Sequence, residues 1–577
     1  MIGKRRRIDR SMLLLGSRRV REYSPSRVPQ PERLEVKGVI SPDWLWWRDG
    51  VIYHVYLRSF ADSDGDGLGD LPGLISRLDY LNGTPDSLGV DAIWLSPCYP
   101  SPDADYGYDV ADYTAIDRRY GRLEDFDRLI AEAHRRGIRV LLDLVYNHTS
   151  DQHPWFVEAR ASRTSPRRDW YVWRDGRPGG GVPNNWQSVF GGRAWEWDPA
   201  TSQYYYHLFL RQQPDLNWHN PEMRRALMEA TRFWLERGVD GFRLDVFNAW
   251  YEHLGYPDNP PRLGLRGFDR QRHVYDVDRP EMHPALGEFR TLLDAYPERT
   301  SVGELFGDDP ALAASYCSDQ ALHMVFNFEF THRRWDPHAF CASIESAERH
   351  LGERGWPCYV LSNHDLPRHV TRYGGRHPGE VARVAAALLL TQRGTPFLYY
   401  GEEIGLPDVP LRRSQIVDPP GRLYWPFYKG RDPNRGPMPW NAERNAGFTN
   451  GTPWLPLRSD YLDLNVEAQM QDRRSVWSFY RDLLRLRRQS PALRRGSFRR
   501  LSLPSHRGLA YLRATGEQQA IVALNFANAP LRLAIDSTRL PMEWPLALAA
   551  HPDRPARLLR EAIELGPHQA AIFIHSG

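Results

Sequence analysis

The sequence predicts an α/β protein: a (β/α)8 TIM barrel with a domain inserted after its third strand and a C-terminal antiparallel β-domain. Three observations predict it. From Val51 onward, eight short apolar runs alternate with segments of helical period, the rhythm of repeated β/α units. Acidic and polar residues collect where those runs end, which is where barrels place their chemistry. Beyond Gly496 the helical segments stop and alternating β runs replace them, the mark of an antiparallel sheet with one buried face.

The eight runs are Val51–Tyr56, Ala92–Leu95, Val140–Leu144, Gly241–Leu244, Ser301–Gly303, Met324–Phe328, Tyr359–Leu361 and Pro396–Tyr400. Helical segments such as Leu123–Arg135, Pro221–Arg237 and Glu380–Thr391 lie between them. A doubly wound sheet is disfavoured, because no Gly-rich phosphate fingerprint follows the first strand. Residues 149–217, rich in Trp, Gly, Pro and Arg, are too long for a simple loop and are expected to form the inserted domain. Its tryptophans are expected to wall the pocket. The barrel then comprises 45–148 and 218–496, with a second long excursion from Glu402 to Asn450, and 497–577 form the β-domain.

Composition narrows the function. The 577 residues carry 75 basic and 72 acidic side chains, a net charge of +3, too balanced for a chain built around nucleic acid or a membrane surface. No apolar run reaches the roughly 18 residues that a bilayer span needs. Arg5–Arg7 precede only a short apolar stretch, Met12–Leu15, too short for a secretory signal. Residues 1–44 therefore read as a flexible, weakly basic extension, and a cytoplasmic location is expected. The cysteines, Cys98, Cys317, Cys341 and Cys358, form no C-x-x-C pair and are expected reduced and buried.

The strand ends hold the candidate chemistry. The third gives Asp143 and Asn147-His148, the fourth Arg243-Leu244-Asp245, the fifth Glu304, and the seventh Asn363-His364-Asp365. Arg243 and Asp245 stand two apart on a strand and point to the same side. A lone aspartate there is an ordinary cap or turn residue, but three carboxylates on strands four, five and seven are costly unless one holds a proton. Glycoside cleavage uses such a set, one carboxyl as nucleophile or base and another as acid. A divalent-metal hydrolase is the weaker alternative, since no H-x-H or H-E-x-x-H spacing is present.

These four stretches resemble the four conserved segments of the α-amylase superfamily, glycoside hydrolase family 13. Gln213-Pro214-Asp215-Leu216-Asn217 resembles the additional segment of its oligo-1,6-glucosidase and α-glucosidase branch. The resemblance runs from about Asp49 to the chain end. It implies Asp245 as nucleophile, Glu304 as general acid and base, and Asp365 as the residue that favours the distorted sugar. Nucleophile and acid would lie about 5–5.5 Å apart, with net retention. Arg243 would keep Asp245 ionised, and His148 and His364 would bind sugar hydroxyls. Asp105-Tyr106-Gly107-Tyr108-Asp109 resembles the branch's D-x-G-Y-D element, which implies that Asp105 binds the non-reducing sugar and Tyr108 stacks beneath it. Gly430-Arg431-Asp432-Pro433-Asn434-Arg435 resembles its G-R-D-x-x-R element. Arg431 would then contact the same glucose and Arg435 would be structural. Phe190, before Gly191-Gly192, is a further candidate for the pocket wall. The expected partner is a small neutral α-glucoside or oligosaccharide, and no organic cofactor is implied.

Asp62-Ser63-Asp64-Gly65-Asp66-Gly67-Leu68-Gly69-Asp70 sets oxygen ligands at alternate positions, a calcium-loop pattern. Its twelfth position is Gly73 rather than Glu, so it is not an EF-hand. The matching loop of oligo-1,6-glucosidases implies one structural Ca2+, held by Asp62, Asp64, Asp66, Asp70 and the Leu68 carbonyl. Linkage is less defined. Val246 after the nucleophile and Asn248 match relatives that favour α-1,6 bonds, while Phe247 and Leu305-Phe306 depart from them. The leading expectation is an exo-acting α-glucosidase with some transglycosylation. A glucosyl isomerase acting on trehalose or sucrose shares the catalytic residues, and a catalytically dead binding protein is disfavoured by the intact triad.

Overall fold

A computed structural model describes residues 44–577 except 353–354, 503–504, 537, 539, 542 and 577, so the proposed extension lies almost wholly outside the described residues. All eight expected barrel strands are present. They are β1 (Ile52–Val55), β2 (Ala92–Leu95), β3 (Arg139–Leu144), β7 (Gly241–Leu244), β8 (Thr300–Gly303), β9 (Met324–Val325), β10 (Cys358–Val360) and β11 (Thr395–Tyr399). The inserted segment contributes β4 (Trp173–Arg174), β5 (Trp195–Asp198) and β6 (Gln203–Tyr206).

The barrel strands pair in parallel in the order β10-β11-β1-β2-β3-β7-β8-β9, and a parallel bridge from Phe326 to Cys358 closes the ring. The sixth strand is shorter than the expected Met324–Phe328, because Phe328 already begins a helix with Asn327 as its cap. Alternate strand residues fill the lumen: Ile52, Ala92, Trp94, Leu141, Val302, Met324, Val360 and Phe397 form one buried cluster. The opposite faces meet the surrounding helices. Helix α1 (Leu123–Arg135) buries Phe126, Leu129, Ile130 and Ala133, an i, i+3, i+4, i+7 stripe. Each large apolar side chain so buried contributes about 1.5–3 kcal/mol. Helices α2 (Pro221–Glu236) and α3 (Pro378–Leu390) lie close to the expected bounds.

Register decides the site. Asp143 stands opposite Arg243, and Arg243 opposite Val302. Side chains alternate with period two, so Asp143, Arg243 and Asp245 share the lumen side with Glu304, two residues beyond Val302.

The inserted strands form an antiparallel sheet ordered β4-β6-β5. Trp186, Trp195 and Tyr206 pack there with Ala249, Tyr256 and Phe268 from the loop after β7. These tryptophans supply the core of the insertion rather than walling a pocket, since a short three-stranded sheet needs large rings to bury enough area. Beyond the barrel, β12 (Ser497–Arg500), β13 (Gly508–Ala514), β14 (Gln518–Asn525), β15 (Leu531–Ala534), β16 (Leu546–Ala549), β17 (Ala556–Leu558), β18 (Ala562–Leu565) and β19 (Ala570–Ser576) form two antiparallel sheets. Leu512, Ile521 and Phe573 of one face Leu533, Ile563 and Leu565 of the other. Cys98, Cys341 and Cys358 are buried thiols, while Cys317 is partly exposed. No described helix is long and apolar enough to cross a membrane.

Candidate active site

Arg243 is the hub of the barrel mouth. Only 1% exposed, it donates from Nη1 to Asp143 Oδ1 at 2.6 Å and to Asp245 Oδ1 at 2.7 Å. Its Nη2 faces Glu304 Oε2. One guanidinium thus gathers carboxylates from the ends of β3, β7 and β8, a geometry that suits its planar fork. Burial, with the charges of Asp143 and Asp365, pushes the Asp245 carboxyl up to about 7 against the opposing pull of Arg243. Burial also raises Asp143, again opposed by Arg243.

The seventh-strand loop brings His364 and Asp365 to the same place. His364 Nε2 lies 2.7 Å from the Tyr108 hydroxyl and 3.2 Å from Asp365 Oδ2. Tyr108 donates to Asp143 Oδ2 at 3.0 Å, and its ring lies parallel to His364 at 5.2 Å. Burial and the nearby charges of Arg435, Arg243 and Arg431 hold His364 well below the ordinary imidazole range, so it is neutral. His148, lowered to about 4 by burial, is neutral too. Its Nε2 donates to the Tyr108 carbonyl at 3.0 Å.

Arg431 joins the remaining residues. Nη2 donates to Asp105 Oδ1 at 2.6 Å and to Asp418 Oδ1 at 2.7 Å, while Nη1 lies 3.4 Å from Asp365 Oδ1. The Phe190 ring sits 5.1 Å from its guanidinium. Burial raises Asp105 and Arg431 opposes it. Asp105, Tyr108, His148, Arg243, Asp245, Glu304, His364, Asp365 and Arg431 therefore fall in one connected network, with Phe190 at its edge.

Residues 54–496 match the family described as "Alpha amylase, catalytic domain". The chain belongs to the α-amylase family. It is a glycoside hydrolase. It is 43% identical over 526 residues to a probable alpha-glucosidase of Rhizobium meliloti, covering 88% of this chain and 94% of that one. To an oligo-1,6-glucosidase of Parageobacillus thermoglucosidasius it is 40% identical, over 84% and 91% of the two chains. Among solved structures, the alpha-glucosyl transfer enzyme XgtA superposes with a TM-score of 0.87 at 42% identity, covering 92% and 99%. The trehalulose synthase MutB of Pseudomonas mesoacidophila gives 0.83 at 36%, covering 92% and 100%.

Within this α-amylase fold several site residues escaped the sequence reading. Arg435, expected to be structural, donates from Nη2 to Asp365 Oδ1 at 3.0 Å and from Nε to the His364 carbonyl at 2.7 Å. It is fully buried. Gln213 donates to Asp105 Oδ2 at 3.2 Å, and its place in the Gln213–Asn217 segment was a usable signal. Asp418 lies in no motif, and only folding brings it to Arg431. Asn248 does not face the sugar-binding groups with a free amide. Its side chain donates to Asp278 Oδ1 at 2.8 Å and accepts from the Phe306 backbone at 2.7 Å, tying the nucleophile loop to the acid loop.

In the acidic loop, carboxylate oxygens of Asp62, Asp64 and Asp70 lie within 4.8 Å of one another, and Asp66 is outside this group. Asp62 accepts from the Asp64, Gly65 and Gly67 backbone. Asp70 accepts from Gly73 N–H and caps the helix Leu71–Ser76, which follows the loop directly. Three hard oxygen donors this close fit a calcium ion's chemistry.

Proposed function

We propose that this glycoside hydrolase is a retaining, exo-acting α-glucosidase on short oligosaccharides, cleaving α-1,6 and/or α-1,4 bonds through a covalent glucosyl-enzyme. The observation that carries the reading is the Arg243 fork, which holds Asp245 and Glu304 on adjoining strand ends. Asp245, ionised, attacks the anomeric carbon while Glu304 protonates the departing glycosidic oxygen. Glu304 then takes a proton from water, which attacks the glucosyl-enzyme and frees Asp245. Two inversions give retention. Asp365, steadied by Arg431 and Arg435, accepts hydrogen bonds from ring hydroxyls as positive charge develops at the anomeric carbon. His148 and His364, both neutral, line the pocket beside the reacting groups without adding charge.

The Asp105–Arg431–Asp418 ion pairs support the exo reading, because a buried clamp on the terminal glucose closes the pocket at that end. Likeness to a glucosyl transfer enzyme and a trehalulose synthase favours a second reading, transfer or isomerisation, which differs only in how far water is kept from the glucosyl-enzyme. The test is separate incubation with maltose, isomaltose, sucrose and trehalose while following products and anomer by NMR. Initial release of α-glucose from the first two supports the proposal, and no cleavage of any sugar sinks it. We also propose that Asp62, Asp64 and Asp70 hold one structural calcium ion, with Asp66 and the Leu68 carbonyl as further ligands. The ion supplies positive charge that lets these carboxylates converge.

A further inference from the structure

Eight of the fourteen exposed large hydrophobic side chains among the described residues belong to two loops, 254–274 and 417–428. Leu263 is 100% exposed, Leu265 92% and Phe427 98%. Scattered apolar residues on a surface need no explanation, but a concentration at one place marks a binding surface. Both loops follow barrel strands, β7 and β11, and so rise on the catalytic face.

Contacts join these loops to the pocket. Phe268 packs edge-on against Phe306 at 5.2 Å, and Phe306 lies two residues after Glu304. Gly191 approaches Tyr424 so closely that a Cβ there would meet its hydroxyl, and the neighbouring Phe190 lies against Arg431. The Gly267 backbone sits beside the Gln187 side chain, so both loops lean on the same 187–192 turn. Phe268 thus ties the loop that carries Leu263 and Leu265 to Phe306 on the acid side, and Gly191 ties the loop that carries Leu423 and Phe427 to the turn beside Arg431. The acid side is where the leaving group departs.

We infer that Leu263, Leu265, Leu423 and Phe427 form an aglycone-binding rim that recognises α-glucosides whose aglycone is an apolar alkyl chain. The inference rests on the proposed assignment of Glu304 as the acid. Continuity with the pocket selects this occupant. A sugar leaving group needs hydrogen-bond partners, whereas an alkyl chain gains by covering bare leucine and phenylalanine.

The test separates binding from turnover. Octyl and methyl α-glucoside, below micellar concentration, are titrated by calorimetry into the full-length Asp245→Asn protein and into the same protein carrying Leu263→Ser, Leu265→Ser and Phe427→Ser. The rim predicts octyl glucoside binding about tenfold or more tighter than methyl glucoside, and loss of that advantage in the Ser variant. Equal affinities overturn it. So does a retained preference in the Ser variant. Light scattering supplies the other arm: a dimer that the Ser substitutions split identifies the surface as a subunit interface and overturns the proposal. Turnover of maltose by the wild-type protein and by Glu304→Gln judges the acid assignment separately, because calorimetry reads the rim even where cleavage fails. Reduced octyl glucoside turnover in the Ser variant bearing Asp245, relative to methyl glucoside, supports the rim.

Discussion

Arg435 donates to Asp365 Oδ1 at 3.0 Å while its Nε holds the carbonyl of the preceding His364 at 2.7 Å. A single rigid guanidinium therefore fixes both the side chain and the backbone of the seventh-strand loop. Lysine keeps the charge but cannot span both acceptors. Arg435→Lys is expected to lower kcat/KM by about 10²-fold, the cost of slight misplacement of a reacting group. Steady-state kinetics beside a circular-dichroism melt checks this, and a full loss of fold would refer the effect to stability instead.

Asp245→Asn is expected to keep the fold and reduce kcat by on the order of 10⁴-fold or more, as removal of a covalent nucleophile does. Hydrolysis of maltose or isomaltose at wild-type rate refutes the nucleophile assignment.

The Asp245 carboxyl, raised to about 7 from 3.8, sets two pH dependences. Catalysis needs its ionised form, so kcat/KM should rise with pH through an acidic limb near pH 7, about tenfold per unit below it. Stability runs the other way. Between about pH 4 and 7 the native state binds more protons than the unfolded chain, so this group's contribution is fully present at low pH and lost as pH rises through 7. The melting temperature of Asp245→Asn relative to wild type should therefore increase from pH 5 to pH 8. A constant difference across that range contradicts the shifted titration.

Val246 follows the nucleophile, is buried, and adopts φ 32°. A β-branched side chain in that left-handed region is strained. Val246→Ala removes bulk beside the reacting centre and is expected to move the isomaltose-to-maltose ratio of kcat/KM toward maltose by about tenfold, within the range one or two methyl groups can discriminate. Competition between the two sugars measures it.

Chelation with EDTA is expected to lower the melting temperature, because a ligand bound only by the native state stabilises it. Calcium, rather than magnesium, should restore it, since close carboxylates and carbonyls suit the larger ion. Asp62→Asn with Asp64→Asn should abolish the EDTA response. An identical melt with and without chelator, in a protein containing no metal, removes calcium from the account.

Local pattern alone determined much of this protein. Short continuous apolar runs, alternating with period-3.6 stripes, placed every barrel strand, because the lumen and the helix layer bury both faces of each strand. Asp143, Arg243-x-Asp245, Glu304 and His364-Asp365 were legible because strand ends carry chemistry and their spacing is short. What only the tertiary structure decided is pairing across distance. The register of Asp143 against Arg243, Asp418 reaching Arg431, and Arg435 acting on Asp365 depend on loops whose ends are set by packing, not by local sequence. The tryptophans of the insertion show the same limit. A ring suited to a sugar and a ring suited to a core look alike in sequence, and only burial tells them apart.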